Sequence, residues 1–144
     1  MTISGISHST IAHSTEDTLK VGRALLYLLP ESMRSVRQPS IAEATGHHGN
    51  LIRVLSLEIR WKAEPTEAFE YLLRLLPMAD RLMIRDQIMT YWDGRSTVFL
   101  RLDKQSCYAG QPRLSNSDDV VRVKISLLGG KHDVASVLDA FELI

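Results

Sequence analysis

The sequence predicts an α+β fold, a two-layer sandwich in which an antiparallel sheet carries helices packed on one face. Three observations lead there. Leu51–Trp61, Thr97–Lys104 and Val120–Leu127 alternate apolar and polar residues with a period of two, as strands with one dry face do. Leucine-rich stretches lie between hydroxyl or acidic starts and proline stops, the punctuation of helices. Several neighbouring strands are joined by short turns, which favours antiparallel pairing, and their polar faces leave helices one side to cover.

Taken in order, Ile3–His13 can extend, with Ile6 and Ile11 as apolar points and serines between them. Ser14-Thr15-Glu16-Asp17 starts a helix, because hydroxyl and carboxylate oxygens accept from free backbone N–H groups and suit the positive end of the dipole. Leu19, Gly22, Leu25, Leu26 and Leu29 form its stripe, and Pro30 stops it. Ser40–Thr45 is a short strand. Gly46–Asn50 is a turn with a glycine on each side of His47-His48 and with Asn50 tolerant of positive φ. In the strand Leu51–Trp61, Leu55, Leu57, Ile59 and Trp61 face one way. Pro65-Thr66-Glu67 opens a second helix with Ala68, Leu72, Leu75 and Leu76 inward, broken by Pro77. A third runs Ala79–Tyr91, with Leu82, Met83, Ile88 and Met89 as its apolar members, and ends at Asp93-Gly94. In Thr97–Lys104, Val98, Leu100 and Leu102 oppose Phe99, Arg101 and Asp103. Tyr108–Asn116 is a loop. Val120–Leu127 turns Arg122 and Lys124 to the wet side, Gly129-Gly130 breaks the strand, and Asp133–Phe141 is a last helix.

The 144 residues are enough to bury a core without staples. With no linker or internal repeat, residues 1–144 are read as one domain. Apolar stretches fall far short of a membrane span, and Met1–Ser14 lacks the charged start and apolar block of a secretory signal. A lone Cys107 excludes an internal disulfide and a multi-cysteine zinc site, and fits a reducing interior. No membrane association is expected.

Formal net charge is zero, unlike the strongly basic balance of many nucleic-acid-coating proteins. The distribution is uneven. Val98–Lys131 carries six Lys/Arg against three acids, whereas Ala63–Thr97 carries four Arg against six acids. A neutral total can hide a basic face.

His47 and His48 tempt a metal reading, but adjacent residues on an extended chain point to opposite sides, and the helical i, i+4 histidine spacing is absent. Asp103-Lys104 and Asp118-Asp119 could be acid–base groups, but that work needs a cleft, and Asp118 or Asp119 beside Arg122 or Lys104 suits a cross-strand ion pair or turn cap better. No nucleophile elbow, P-loop or dinucleotide fingerprint appears. Arg101, Arg122 and Lys124 share the polar sheet face with Phe99, and Arg60 lies on a neighbouring strand. Cations beside an exposed aromatic suit single-stranded RNA; the alternative is a solvated face blunted by charge. The runs Leu25-Leu26-Tyr27-Leu28-Leu29 and Leu72-Leu73-Arg74-Leu75-Leu76 are wider than one buried stripe requires, which leaves part of them for a homodimer contact.

These motifs together resemble the archaeal RNA-binding/predicted exosome-subunit family. The resemblance rests on Ser14-Thr15-Glu16-Asp17, Gly46-His47-His48-Gly49-Asn50, Arg53–Glu58, Leu100-Arg101-Leu102-Asp103-Lys104-Gln105 with Tyr108 and Gly110, and Asp118-Asp119-Val120-Val121-Arg122-Val123-Lys124. Leu51 stands where the family pattern usually has proline, and the tail from Gly129 has no counterpart in it. The resemblance implies an archaeal, cytoplasmic, non-catalytic protein with a fold similar to the large-subunit ribosomal protein that contacts 5S RNA.

The expected function is a non-catalytic RNA-binding protein, accessory to exosome-linked RNA processing or degradation. Arg101, Lys104, Arg122 and Lys124 are expected on phosphates, with His47, His48 and Asn50 lining a nearby loop. Exosome components are further expected partners, and no cofactor or metal is expected. The alternative is a homodimeric protein–protein adaptor without RNA contact. A third reading is a His/Asp metal-dependent hydrolase.

Overall fold

The least apolar of the expected strands sits at the centre of the sheet. The computed structural model describes residues 3–129 and 132–141. Strand β1 (Ile3–Ala12) pairs with β3 (Leu51–Ile59) on one side and β5 (Val120–Leu127) on the other. Outside them lie β2 (Ser40–Thr45) and β4 (Thr97–Asp103), giving the all-antiparallel order β2-β3-β1-β5-β4. The serines of β1 are tolerated because they alternate with Ile6, His8, Thr10 and Ala12, which are buried. Leu55, Leu57 and Ile59 from β3, with Val123 and Ile125 from β5, line the same dry face.

Helices α1 (Thr18–Leu26), α2 (Glu31–Arg34), α3 (Glu64–Leu75), α4 (Met78–Asp86), α5 (Ile88–Tyr91), α6 (Lys104–Tyr108) and α7 (Val134–Phe141) complete the fold. The Asp17 carboxylate caps α1 by accepting from the Leu19 N–H at 3.0 Å. Phe69 of α3 meets Phe141 of α7 edge to face, with centroids 4.8 Å apart, and both are buried.

Most of each leucine run belongs to the core, with Leu25, Leu28, Leu29, Leu72, Leu73 and Leu76 buried and Leu26, Tyr27 and Leu75 half-buried. Several expectations are corrected. Leu19 precedes the buried stripe of α1 and is exposed. The Ala79–Tyr91 segment is two helices, because Gln87 (φ −122°, ψ 38°) leaves helical geometry. Only Ile84 and Ile88 of these two helices are buried, while Leu82, Met83 and Met89 are exposed. Strand β3 ends at Ile59, which leaves Trp61 outside the core. Positive φ in the hairpin turn falls on Gly49 (80°) and not on Asn50. The Gly130 and Lys131 of the basic segment lie outside the described residues.

The two sheet edges differ. The outer edge of β4 is covered: Asp103 N–H donates to Arg113 O at 2.8 Å, and Ser115 N–H to Arg101 O at 3.0 Å. All six residues of β2 are exposed.

Candidate functional site

Antiparallel register brings directly opposed residues to the same face. One row crosses all five strands on the side away from the helices: Ser40, Ser56, Ser9, Arg122 and Arg101. A second runs through Glu58, Ser7, Lys124 and Phe99. These two rows are polar because each strand contributes the wet half of its alternation there, basic towards β4 and β5 and hydroxyl-bearing towards β3; the next row on the same face, Ile11, Val54 and Ala42, is apolar.

Arg101, Arg122 and Lys124 are therefore brought together. Arg101 and Arg122 are a direct cross-strand pair of like charges, and such a pair opposes folding unless an anion or acid lies near. Arg101 Nη2 donates to Ser117 O at 2.6 Å, and the exposed Asp118 carboxylate is 4.0 Å away. Among the described residues, neither Arg122 nor Lys124 has an ion-pair partner. Phe99 opposes Lys124 and is 50% exposed, an aromatic face beside an ammonium. Arg60 also belongs to this side: its guanidinium lies over Gly5, where an added Cβ would come within 2.8 Å of Nη1. Gly5 opposes Ser126 on the same face.

Lys104 does not join them. The Asp103 carboxylate accepts from Ser106 N–H at 2.9 Å and from Ser106 Oγ at 2.8 Å, ending β4 and opening α6. Lys104, the first residue of that helix, is 2% exposed. Its Nζ donates to Ile11 O at 2.8 Å, Glu16 Oε1 at 3.0 Å and Asp119 Oδ1 at 2.7 Å. Three donors meet three acceptors, so this ammonium is a buried staple and not a phosphate contact.

The histidine turn is also separate. His47, His48 and Asn50 are exposed at the β2–β3 hairpin, on the edge away from β4. Four strand spacings, roughly 19 Å, lie between β2 and β4. The two rings touch edge to face, with centroids 5.1 Å apart, because the turn removes the opposed directions of an extended chain. Gly46 N–H donates to Asn50 O, and Gly49 N–H to Gly46 O, which closes the turn.

A groove of about 780 Å³ opens beside Arg122, lined in part by Ser9, His13, Glu16, Gln105 and Asp119. The ligand atoms of His13, Glu16 and Asp119 lie within 4.8 Å of one another, a spacing that could serve a metal. The Lys104 ammonium already supplies the cation that this pair of carboxylates needs.

One contribution escaped the sequence reading: the serines of β1 and β3 on the open face. Ser7 and Ser9 were visible as alternate residues, but only the pairing shows that Ser9 and Ser56 continue the arginine row.

Among the described residues, no helix is long and apolar enough to cross a membrane. Over 120 residues, 82% of this chain and 77% of the relative, the chain is 34% identical to the RNA-binding protein PAB1135 of Pyrococcus abyssi. It is 27% identical over 124 residues to the uncharacterized protein MJ0213 of Methanocaldococcus jannaschii, covering 83% of this chain and 81% of the relative. Its fold is similar to the crystal structure of protein AF2318 from Archaeoglobus fulgidus, a DUF54 protein, with a TM-score of 0.81, 29% identity and 99% of each chain covered. The family described as RNA binding matches residues 5–127, from the central strand to the end of β5, and the chain belongs to that family.

Proposed function

We propose that the open sheet face binds single-stranded RNA, with Arg101, Arg122 and Lys124 on phosphates and Phe99 stacking on a base. The observation that carries this reading is the register, which sets Arg101, Arg122, Lys124 and Phe99 side by side on one uncovered face. The hydroxyls of Ser9 and Ser56 extend the arginine row and can bond to phosphate or ribose oxygens. The family match and the name of the Pyrococcus relative support RNA as the ligand. The role is one of binding without catalysis. Its proposed setting is exosome-linked RNA processing or degradation in an archaeal cytoplasm, on the strength of the motif resemblance.

RNA affinity measured against salt tests the site. Through counterion release, each phosphate neutralised on a single strand contributes roughly 0.7 to the log–log slope. The triple variant Arg101→Ala/Arg122→Ala/Lys124→Ala is expected to bind with a slope shallower by about two units. An unchanged slope would remove these residues from the site.

The fully exposed β2 edge favours a second reading, a protein–protein adaptor that pairs through that strand. Partners that survive nuclease treatment in a pull-down would support it.

A further inference from the structure

We propose that Trp61, backed by Lys62, is a stacking seat for an unpaired RNA base at the end of a track that begins at Phe99. This rests on the RNA reading above and adds a direction to it: the strand crosses the sheet from β4 to β3.

Trp61 is 63% exposed two residues past the end of β3, at a position where the strand's alternation would have buried it. The turn that displaces it is held in two ways. Glu64 N–H donates to Trp61 O at 3.1 Å, and Lys62 takes a left-handed φ of 52°. Among the described residues, Lys62 is the one non-glycine with positive φ, a conformation that costs an ordinary side chain about 1 kcal/mol. That backbone places Lys62 Nζ 4.4 Å from the centre of the Trp61 ring. With an ammonium on one side, the rest of an exposed indole is preorganised for a flat partner.

In sequence the position follows a residue of the basic face. Arg60 is the residue before Trp61, and its guanidinium lies over Gly5 on the open side. Arg60 Nε donates to Glu58 Oε1 at 2.6 Å and so neutralises the acid in the row that leads through Ser7 and Lys124 to Phe99. From β3 to β4 is three strand spacings, about 14 Å, and Trp61 lies three residues along the chain from Glu58 in the Phe99 row, a span for a short extended run of nucleotides. Sheet-based RNA modules stack two or three bases in this manner.

The chain supplies its own reporter. It has two tryptophans, and the other, Trp92, is buried. In a Trp92→Phe variant, emission comes from Trp61 alone. A short single-stranded poly(U) RNA is titrated into this variant while tryptophan emission is read, and a labelled copy of the same RNA reports binding by anisotropy. Quenching of Trp61 at the same midpoint as the anisotropy rise is expected. Trp61→Ala should weaken binding about tenfold without changing the salt slope, and Trp61→Phe should restore most of the affinity. Binding with no change in Trp61 emission would overturn the stacking seat and leave the RNA reading intact. Absence of binding at low salt by wild-type chain and variant alike would overturn both.

Discussion

Arg101 and Arg122 stand directly opposite each other across the β4–β5 ladder, two cations on one solvent-facing row. A fold selected for stability alone would place an acid at one of these positions. Arg122→Glu supplies that acid, and a cross-strand pair of opposite charge contributes roughly 0.2–1 kcal/mol. The variant is expected to unfold at a slightly higher urea concentration than the wild type while its RNA affinity falls steeply at low salt. Loss of stability together with affinity would mean that Arg122 is structural.

Lys104 gives the opposite expectation. Removing its ammonium leaves Glu16, Asp119 and the Ile11 carbonyl without their shared donor. Hydrogen bonds to charged groups contribute roughly 1.5–3 kcal/mol each, and the partial exposure of both carboxylates reduces the loss. Lys104→Met should therefore cost about 2 kcal/mol in urea unfolding. The salt dependence of RNA binding by the folded protein should not change.

A buried histidine sets the acid limit. His8 is 1% exposed, with Nδ1 donating to Leu25 O at 3.3 Å and Nε2 without a partner among the described residues. Burial holds its pKa down to about 4, against the upward pull of the Leu25 carbonyl. An unfolded chain takes up this proton near pH 6.5, whereas the folded one resists until about pH 4. Stability is thus fully present above pH 6.5 and falls as pH drops towards 4, by up to about 3 kcal/mol. His8→Leu should flatten that decline in a series of urea melts between the two pH values; an unaltered slope would assign it to other groups.

Cys107 reports on opening. Burial pushes its thiol up to about 12, with the Asp103 charge adding to the rise. Only the thiolate reacts, so a disulfide reagent at pH 8 should leave the native chain almost unlabelled and modify it stoichiometrically in urea. Rapid native labelling would show that α6 opens readily.

Strands β3, β4 and β5 could be read from the sequence because alternation is a local signal, and Arg122, Lys124 and Phe99 fell on the wet side as that signal required. The side of Lys104 could not, because it depends on whether the strand continues through Asp103. The Asp103 carboxylate and Ser106 already spelled a helix cap, but the apolar alternation before them outweighed it. The segment after Pro77 misled in another way: its methionines and Leu82 have the composition of a core helix, yet only Ile84 and Ile88 turn inward. The neighbours of β1 were beyond local reading, since its partners lie some fifty and over a hundred residues along the chain.

That last separation has a bearing on synthesis. The segment made before all its partners occupies the middle of the sheet, and Ser4 Oγ donates to Ser126 O across 122 positions of sequence. While the chain grows, β1 can pair with β3 early, but its other edge has no neighbour until Leu127 has emerged. Topologies of such long reach fold slowly and expose strand edges in the interval.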